Sequence, residues 1–533
     1  MGTTDIHGWL LPHDYYTAEP TAYGLSRLAP SIDSIRSAHP GRTALVDSGD
    51  LLQGNPLAFV YSELQPGEVH PVVHAMNLLE YDAAAIGNHE FNFGIEHLAK
   101  AMAAAKFPFL SANTFVHATV EHAYRPYTVI ERRVDGRVLR IGIAGATPPG
   151  VHVWDRDHVE GRLQFRDIVE SMRPVVAQMR EEGADLVVVA AHSGLEGTSY
   201  DTLSTGLAPE NVVSRLAREI PEIDVIFMGH THGELADSTI DGTLVLQARN
   251  WARSLAVAEI HLAAAEGGEW RVISKRGQIV RPDTARDSER LQAELAPAHR
   301  RTMEFVNRPI GTSTARWSAT DARVRDTPII DFVNEVQRTV AGTDLSATSA
   351  FNLSAVIPQG PVTVADVARL YIYDNNTLKA VRITGEQLRA YLEKSAEYYL
   401  PCPGSRCERL TNPAVPGYNF DIISGVDYTL DLTKPVGRRV TRLERNGQPV
   451  RHSETFTLAL NNYRQGGGGG FSMLADAPVV YDGDESIRDL LTREIERRGT
   501  ISPEAYFRRN WEIVPQALAE RASAEQNQPD APR

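Results

Sequence analysis

Short apolar runs alternate with stretches of helical spacing along the first half of the chain. The apolar runs predict buried strands at 44–46, 83–86, 139–144, 186–190 and 225–228. Apolar residues recur at helical spacing at 23–38, 72–79, 95–105 and 168–182. Alternating strands and helices are typical of a layered α/β domain.

Polar residues that can bind metals follow several of these runs directly. Asp50, Asn88, His192 and His230 each stand just after an apolar run, which predicts that they lie at strand ends. In open α/β sheets, ligands bind at the edge formed by the strand ends. We therefore expect these side chains to meet at one edge of the domain.

The pattern changes after a charge-rich helical stretch at 284–306. Beyond it, helical segments at 328–340, 364–370 and 385–399 mix with strands at 379–383, 426–432 and 455–460, which predicts an α+β domain. The end of the chain is rich in Ala, Glu, Gln and Pro, a composition typical of disorder. The predicted organisation is a first domain at 1–283, a linker helix at 284–308, a second domain at 309–515 and a disordered tail at 516–533.

Composition and charge narrow the choice of partner. The chain has 533 residues, with 54 Lys and Arg against 68 Asp and Glu, so the formal net charge is −14. This balance argues against binding of polymeric nucleic acid, which needs a basic surface. A small anionic substrate is compatible with it, because bound metal ions supply local positive charge. We find no apolar run long enough to cross a bilayer, and we expect a monomer.

Two motifs place metal ligands at alternate positions. One residue separates Asp5 from His7, and one separates His230 from His232, so an extended backbone would point both members of a pair the same way. The carboxylate of Asp50 has two oxygens, enough to bridge two cations, although a helix N-cap is an alternative interpretation.

Each motif alone has such a plainer explanation, for example a surface pair, a turn or a structural histidine. Five motifs together predict a dinuclear site, because each offers hard oxygen or imidazole ligands; they lie at 5–8, 49–50, 87–90, 191–192 and 229–232. Divalent Mn, Zn, Co or Fe suits these ligands. Two clamped cations make hydroxide from water and neutralise phosphate.

Cys402 and Cys407 are the only cysteines. Their spacing allows a small loop disulfide, and two free thiols are an equal alternative. The chain reaches its first motif at Asp5 with almost no apolar strand and no signal peptide before it. We therefore expect the natural chain to begin upstream of Met1, with a strand and an export signal.

The order of these motifs resembles the calcineurin-like metallophosphoesterases. The stretches 418–428, 461–464 and 466–470 look like the substrate domain of the 5′-nucleotidase family within them. The segments 3–8, 54–57 and 87–94 look most like the branch of 2′,3′-cyclic-nucleotide 2′-phosphodiesterases/3′-nucleotidases. This resemblance implies two packed sheets flanked by helices in a four-layer catalytic domain, followed by an α+β substrate-binding domain.

The resemblance also implies roles for particular residues. One metal would be held by Asp5, His7, Asp50 and His232. The other would be held by Asp50, Asn88, His192 and His230, with Asp50 bridging the two. His89 would stabilise charge on the phosphoryl group in the transition state.

Three features depart from the 5′-nucleotidases. Asn92 stands where those enzymes have an aspartate that orients the catalytic histidine, so it accepts a hydrogen bond without offering charge. Gly469 stands where they have an aspartate that grips the ribose, and its lack of charge and bulk favours a 3′-phosphate or cyclic phosphate. Their arginine-containing phosphate segment is absent, the nearest region being 350–355.

The nucleoside base is expected to stack between two rings. Tyr463 is one predicted wall, Phe420 is the other, and Tyr418 is the alternative to Phe420. Buried core aromatics would explain the same residues without function. The glycines at 467, 468 and 469 (Gly467, Gly468 and Gly469) are predicted to line the same site.

The predicted activity is hydrolysis of 2′,3′-cyclic nucleotides and then of the 3′-phosphate by metal-activated water. The first domain would perform the chemistry and the second would hold the nucleoside. A 5′-nucleotidase or nucleotide-sugar hydrolase is the first alternative, and a non-catalytic nucleotide-binding module is the second. A related sulfur-ester hydrolase or biosynthetic phosphatase has no positive feature here. The resemblance implies the cell envelope or secretion, and a native start at Met1 would imply the cytoplasm.

Overall fold

The structure is a computed structural model that describes residues 1–264, 270–403, 407–474 and 477–526. The chain divides into two units, Met1–Glu304 and Phe305–Arg533. Each unit has its own sheets and its own hydrophobic core.

The first sheet of the first unit is built around short parallel strands. Its order is Trp270–Val280, Leu255–Ala264, Gly2–Thr3, Val46–Asp47, Ala83–Ala85 and Phe109–Leu110. The last four strands run parallel, and Leu255–Ala264 and Trp270–Val280 extend the sheet antiparallel. The carboxyl ends of the parallel strands therefore meet at one edge.

The second sheet repeats this plan. Its order is Leu235–Ile240, Thr243–Gln247, Val225–Met228, Leu186–Ala191, Arg137–Ala146 and Tyr127–Val134. The four central strands run parallel, and the two outer strands are antiparallel to their neighbours.

Both faces of Leu186–Ala191 are buried, which explains its unbroken apolar sequence. Alternate side chains of a strand point to opposite faces. Leu186 packs with Val46 of the first sheet, and Val187 packs with Met172 of the helix Ile168–Glu181. The two sheets thus enclose one core, and the second sheet shares another with helices.

Four longer helices of this unit lie close to the predicted positions, namely Leu25–Ala38, Pro71–Leu78, Ile95–Ala104 and Ile168–Glu181. The helix Val213–Glu219 was not predicted. Shorter helical turns lie at Pro56–Phe59, Val60–Leu64, Val151–Trp154, Arg156–Val159 and Thr202–Thr205. Short strand pairs are formed by Thr114–Val116 with Leu163–Phe165 and by His13–Asp14 with Glu19–Pro20. Two packed sheets flanked by helices confirm the predicted fold class.

The predicted linker helix is the helix Glu289–Val306, and it packs on the first unit. Leu291 and Leu295 are buried along one face. The hydroxyl of Tyr15 lies 2.9 Å from Nδ1 of His299. The helix therefore belongs to the first unit up to Glu304, instead of standing apart as a linker.

The second unit is α+β, as predicted. Its largest sheet has the order Asp421–Ser424, Leu345–Ser349, Thr455–Asn461, Thr377–Thr384 and Val479–Ser486. A second sheet has the order Gln448–Pro449, Val440–Arg445, Asp427–Asp431 and Trp511–Val514. A third has the order Gly360–Thr363, Pro309–Ser313 and Thr500–Ile501, and Trp317–Ser318 pairs with Val356–Ile357.

Helices cover these sheets. The longer ones are Pro328–Ala341, Val364–Leu370, Gly385–Ser395 and Ile487–Arg498, with short turns at Ala396–Tyr398, Gly417–Asn419, Asn462–Gln465, Gly468–Gly470, Ser472–Leu474 and Pro503–Tyr506. A disulfide joins Cys402 to Cys407, which resolves the two alternatives left open by their spacing.

The predicted disordered tail is wrong for residues 516–526, which form the helix Gln516–Gln526. Leu518 and Ala522 are buried, and their spacing of four places both on one helical face. The carboxylate of Glu525 accepts hydrogen bonds from the backbone N–H groups of Leu410 and Thr411. The expectation for residues 527–533 lies outside the described residues. In the described part of the chain, none of the helices combines the length and the apolar character that a membrane crossing requires.

Candidate active site

Strand ends from both sheets of the first unit bring the predicted ligands together. Three overlapping groups form, and within each the potential ligand atoms lie within 4.8 Å of one another. The groups are Asp5, His7 and His232; His7, Asp50 and His89; and Asp50, His192 and His230. Asp50 and His7 each belong to two groups, so the cluster is continuous.

Asp50 lies at the centre of this cluster. Its Oδ1 accepts a hydrogen bond from the backbone N–H of His89 at 2.8 Å. Its Oδ2 lies 2.9 Å from Nε2 of His192, 3.8 Å from Nε2 of His7 and 3.9 Å from Nε2 of His89. One carboxylate oxygen therefore faces three imidazole nitrogens, an arrangement suited to a bridging ligand.

Asp5 uses its two oxygens differently. Oδ2 accepts hydrogen bonds from the hydroxyl of Thr4 at 2.6 Å and from the backbone N–H of His230 at 3.2 Å. Oδ1 lies 3.3 Å from Nε2 of His232 and 4.0 Å from Nε2 of His7. The two imidazole nitrogens are themselves 3.1 Å apart. Two nitrogens on one tetrahedral cation, each about 2.0–2.1 Å from it, are separated by roughly 3.3 Å.

Among the described residues, several buried polar atoms of the predicted ligands have no hydrogen-bond partner. They include Oδ1 of Asp5, Oδ1 of Asn88 and Nε2 of His192. Unpartnered buried polar atoms are costly unless something satisfies them. These atoms are hard oxygen and imidazole donors, so the residues fit divalent cations.

Backbone carbonyls set the orientation of two of the histidines. Nδ1 of His7 lies 2.8 Å from the carbonyl oxygen of Gln53, and Nδ1 of His192 lies 2.7 Å from that of Ser48. A carbonyl oxygen only accepts, so each Nδ1 carries the proton and donates it. The lone pair of each Nε2 is then directed into the cluster, which is the tautomer needed for metal binding.

The carboxylates and imidazoles of the cluster shift one another's pKa values. Burial lowers the pKa of His7 to about 4, so its imidazole is neutral at neutral pH. Burial alone would raise the pKa of Asp5, but His232 outweighs it and holds the pKa at about 2. Burial likewise opposes protonation of His192, yet Asp50 raises its pKa to about 10. The carboxylates thus favour positive charge at the centre of the cluster, as a bound cation would supply.

Five of the predicted ligands have left-handed backbone conformations. These are Asp5 (φ 51°), His7 (φ 49°), Asp50 (φ 64°), His230 (φ 70°) and His232 (φ 54°). Residues with side chains adopt this conformation at a cost of about 1–2 kcal/mol each. Such strain clusters at functional sites, because the fold must hold ligands in positions that local preference opposes.

Two glycines allow the loops that carry Asp50 and Asn88 to approach closely. A Cβ on Gly49 (φ 96°) would lie 2.7 Å from the backbone nitrogen of Gly87. A Cβ on Gly87 would collide with Oδ1 of Asp50. Any larger residue in place of the glycine before Asp50 or Asn88 would therefore clash with the other loop.

Glu90 was not among the predicted site residues, although it belongs to the predicted motif 87–90. Its side chain is fully buried. Oε2 accepts hydrogen bonds from the backbone N–H groups of Asp50 and Gly87, and Oε1 from those of Leu51 and Leu52. Glu90 thus joins the loop of Asp50 to the loop of Asn88. Only its position in the motif could have suggested this role.

His89 is more accessible than the central ligands. Its side chain is 23% exposed, against 2% for Asp50 and 0% for His192. Nδ1 of His89 lies 2.6 Å from Oδ1 of Asn92, as expected from the sequence. Its Nε2 faces the cluster, 3.9 Å from Oδ2 of Asp50. His89 is therefore held at the cluster and open to a substrate.

The second unit contains the residues predicted to bind the base. One of them, Phe420, lies in the hydrophobic core. Phe420 is fully buried, with its ring packed against Tyr398, Tyr399 and Trp511. The prediction that Phe420 forms a base wall is wrong, because core packing covers its ring. Tyr418, the alternative, is 37% exposed.

Tyr463 and the glycine segment lie together, as predicted. Tyr463 is half-buried in the helix Asn462–Gln465. A Cβ on Gly468 would lie 2.7 Å from the Tyr463 ring, so Gly468 packs directly against it. Gly467 (φ 85°) and Gly469 (φ 74°) have left-handed conformations.

The space beside Gly469 is filled by polar groups that the sequence analysis missed. A Cβ on Gly469 would collide with Oδ1 of Asn419 and with the guanidinium of Arg464. Gly469 therefore leaves no free space for a phosphate beside it, and the prediction that its lack of bulk makes room is wrong. Arg464 is buried and donates to both oxygens of Asp421, at 2.8 and 3.0 Å.

The segment 350–355 lacks an arginine of its own but meets one from elsewhere. The guanidinium of Arg323 donates to the carbonyl oxygen of Ala350 at 2.7 Å. It also lies close enough to Gly417 that a Cβ there would collide with it.

Each of the two units is matched by a known protein family. The calcineurin-like phosphoesterase family matches residues 1–234, and the 5′-nucleotidase C-terminal domain family matches residues 309–476. A crystal structure of a 5′-nucleotidase precursor from Thermus thermophilus has the same fold, with a TM-score of 0.66 over 96% of this chain and 98% of that chain, at 23% identity.

Two relatives are more similar in sequence. The chain is 32% identical to the 2′,3′-cyclic-nucleotide 2′-phosphodiesterase/3′-nucleotidase of Salmonella typhimurium, over 97% of this chain and 88% of that protein. It is also 32% identical to the trifunctional nucleotide phosphoesterase protein YfkN of Bacillus subtilis over 97% of this chain, but it spans only 39% of that protein's length. The chain therefore belongs to the 5′-nucleotidase family of calcineurin-like metallophosphoesterases, and it is a metal-dependent hydrolase of phosphoric esters.

Proposed function

We propose that this enzyme opens 2′,3′-cyclic nucleotides and removes the resulting 3′-phosphate. The proposal follows the relative of Salmonella typhimurium, which is named for the same activity. It is supported by the ligand cluster of the first unit and by the nucleoside-binding candidates of the second. A 5′-nucleotidase is the competing proposal.

The first metal would be held by Asp5, His7, Asp50 and His232, and the second by Asp50, Asn88, His192 and His230. When bound, two such cations activate water as a nucleophile and neutralise the charge of a phosphoryl group. The identity of the metals belongs to this proposal, with Mn, Zn, Co and Fe as the candidates that suit the donor set.

His89 would act on the substrate directly. Oδ1 of Asn92 accepts a hydrogen bond from Nδ1–H of His89, so the imidazole is fixed with Nε2 toward the cluster. In its protonated form, Nε2 would donate a hydrogen bond to a phosphoryl oxygen as negative charge develops there. A donor that is already in place contributes without reorganisation during the reaction.

The observation that carries the choice of substrate is the absence of a carboxylate at position 469. By the sequence resemblance, 5′-nucleotidases have an aspartate there that binds the ribose. In this chain, Gly469 is packed against the amide of Asn419 and the guanidinium of Arg464. A carboxylate would repel a phosphate at the 3′ position or bridging 2′ and 3′, whereas an amide both donates and accepts.

Tyr463 and Tyr418 are the proposed base walls. Both rings are partly accessible, unlike that of Phe420. Aromatic stacking contributes about 1–3 kcal/mol per base and tolerates different bases. The proposal therefore includes a broad base preference.

The deciding experiment compares 2′,3′-cAMP, 3′-AMP and 5′-AMP as substrates of the Mn-loaded protein. We expect kcat/KM for the first two to exceed that for 5′-AMP by about tenfold or more, a difference of roughly 1.4 kcal/mol in transition-state binding. A clear preference for 5′-AMP would favour the competing proposal. Full metal loading without hydrolysis of any of the three would favour a binding module.

We also propose an oxidising compartment, either the cell envelope or the exterior. The Cys402–Cys407 disulfide supports this, because such bonds persist mainly outside the reducing cytosol. Alkylation of the native protein under denaturing, non-reducing conditions tests it. Labelling of both cysteines would contradict the proposal.

A further inference from the structure

Asp155 is a buried carboxylate that neither the ligand cluster nor the sequence analysis accounts for. It lies between the short helices Val151–Trp154 and Arg156–Val159. The residue is 4% exposed, and its buried Oδ2 has no hydrogen-bond partner in the part of the chain that the structure describes. Burial raises its pKa to about 7, and the hydrogen bond from Asn92 acts against this increase. An isolated buried carboxylate of this kind is costly to keep.

Asp155 completes a hydrogen-bonded chain that ends at the proposed catalytic histidine. Nδ2 of Asn92 donates to Oδ1 of Asp155 at 2.7 Å. Oδ1 of Asn92 lies 2.6 Å from Nδ1 of His89. The order is therefore carboxylate, amide and imidazole.

The direction of this chain follows from the chemistry of its outer member. An amide can face either way, whereas Oδ1 of Asp155 accepts both in the carboxylate and when a proton is on Oδ2. Asp155 therefore holds the amide of Asn92 with its NH2 group outward and its carbonyl oxygen toward His89. The carbonyl oxygen in turn requires a proton on Nδ1 of His89.

We propose that Asp155 is a positioning residue for His89, acting through the amide of Asn92. Asp155 thus places a carboxyl group behind Asn92, whereas the sequence resemblance implies that 5′-nucleotidases have a carboxylate at position 92 itself. Hydrogen bonds in series polarise one another, so Asp155 also strengthens the hydrogen bond between Asn92 and His89. This inference rests on the proposed role of His89 in phosphoester hydrolysis.

The same turn also contacts the ligand cluster, which any test must take into account. The ring of Trp154 lies 5.6 Å from that of His230, at an interplanar angle of 32°. A substitution at 155 that moved the turn would disturb His230 and hence metal content. Metal content must therefore be measured for every variant.

The first test is Asp155→Asn, which keeps the shape but lets the outer group donate as well as accept. We expect kcat to fall about tenfold or more while KM changes less than about threefold, because an orienting contact is lost rather than a binding one. Metal content should be unchanged. The melting temperature should not fall, since an isolated buried charge is removed. A purely structural role predicts the reverse, namely a lower melting temperature with kcat retained.

A charge swap makes the test specific. Asn92→Asp alone places two carboxylates together and should be impaired by their repulsion. The double variant Asn92→Asp/Asp155→Asn has one carboxylate again, now directly on His89. We expect its kcat to exceed that of either single variant. A double variant no better than the product of the two single effects would overturn the proposal.

Asp157→Asn is the matched control, two residues further along the same turn and exposed. It should leave kcat, KM and metal content unchanged. Equal losses for Asp155→Asn and Asp157→Asn would show a nonspecific effect of the turn and overturn the proposal.

A second readout is independent of turnover. Proton–nitrogen correlation spectra of protein with 15N-labelled histidine distinguish the two ring tautomers, and His89→Asn identifies the signal among the 17 histidines. We expect Nδ1–H for His89 in the unsubstituted protein and a mixture in Asp155→Asn. If the unsubstituted protein hydrolyses no phosphoester, the proposed function fails, and these spectra alone decide on Asp155. An unchanged tautomer would overturn the inference.

Discussion

At the scale of single residues, hydrogen bonds to the far side of each ligand decide which atoms face the cluster. The carbonyls of Gln53 and Ser48 set the tautomers of His7 and His192. The sequence could identify the histidines, because they recur at strand ends and in motifs. It could not identify these carbonyl partners, because they lie 46 and 144 residues away along the chain.

Glu90 provides a direct test of this support. Glu90→Gln replaces one of two accepting oxygens with an NH2 group, which would face backbone N–H donors. We expect a loss of stability of about 2–5 kcal/mol, since hydrogen bonds to a buried charged group are lost and donors are left unsatisfied. Thermal unfolding with and without chelator, together with metal analysis, measures this.

Glu96→Gln is the control for Glu90→Gln. Its carboxylate is 71% exposed and pairs with Arg162 at the surface. Exposed pairs contribute about 0–1 kcal/mol, so the control should unfold close to the unsubstituted protein. Similar effects for the two variants would contradict the bridging role of Glu90.

Tyr418 and Phe420 should separate binding from stability. Tyr418→Ala is expected to raise KM for nucleotides by about 5- to 150-fold, the equivalent of 1–3 kcal/mol of stacking. Phe420→Ala is expected to reduce stability by about 3–5 kcal/mol, because it opens a cavity in the core. Steady-state kinetics and denaturant unfolding of both variants test this. If Phe420→Ala raised KM without loss of stability, the assignment to the core would be wrong.

At the scale of elements, periodic segments were predictable and their packing partners were not. Ile168–Glu181 and Val364–Leu370 match the sequence prediction within one residue, because their apolar spacing is regular. The helix Glu289–Val306 was recognised as a helix but not as part of the first unit. Its exposed charges dominate the composition, whereas the few buried positions decide where it packs.

The helix Gln516–Gln526 illustrates the same limit. Average composition indicated disorder, while two apolar residues four apart were enough to dock it. Glu525→Ala should lower the stability of the second unit by about 1–3 kcal/mol, because it leaves backbone donors at Leu410 and Thr411 without their acceptor. Denaturant unfolding of the full chain measures this.

Glu520→Ala is the control on the same helix. Glu520 is exposed and interacts with Gln516 one turn away. The free energy of unfolding of the Glu520→Ala variant should stay within about 0.5 kcal/mol of that of the unsubstituted protein. A helix that contributed nothing to the fold would make both variants neutral.

At the scale of the whole molecule, buried acidic groups outside the active site make the free energy of unfolding depend on pH. Burial raises the pKa of Asp331 to about 7, and the nearby Asp326 adds to this effect. In an unfolded chain, aspartate titrates near about 3.9. Between these values the folded form binds more protons than the unfolded form, so this group makes stability fall as pH rises.

Asp331→Asn removes that dependence. It cannot ionise, and its carbonyl oxygen can still accept the hydrogen bond from the backbone N–H of Arg508. We expect the variant to gain stability relative to the unsubstituted protein between about pH 5 and pH 8. Unfolding curves for both proteins at the two pH values measure the gain. A difference that is constant or shrinks with pH would contradict the expectation.

The left-handed backbone at five candidate ligands has an evolutionary consequence. Glycine adopts this conformation without the steric cost that histidine or aspartate meets. Selection for heat resistance alone, in a medium without divalent cations, would therefore favour replacement of the very side chains that give the protein its chemistry. In lineages that lost access to metal, we expect the first substitutions at Asp5, His7, Asp50, His230 and His232. A stable but inactive descendant would be identified by glycine at these positions.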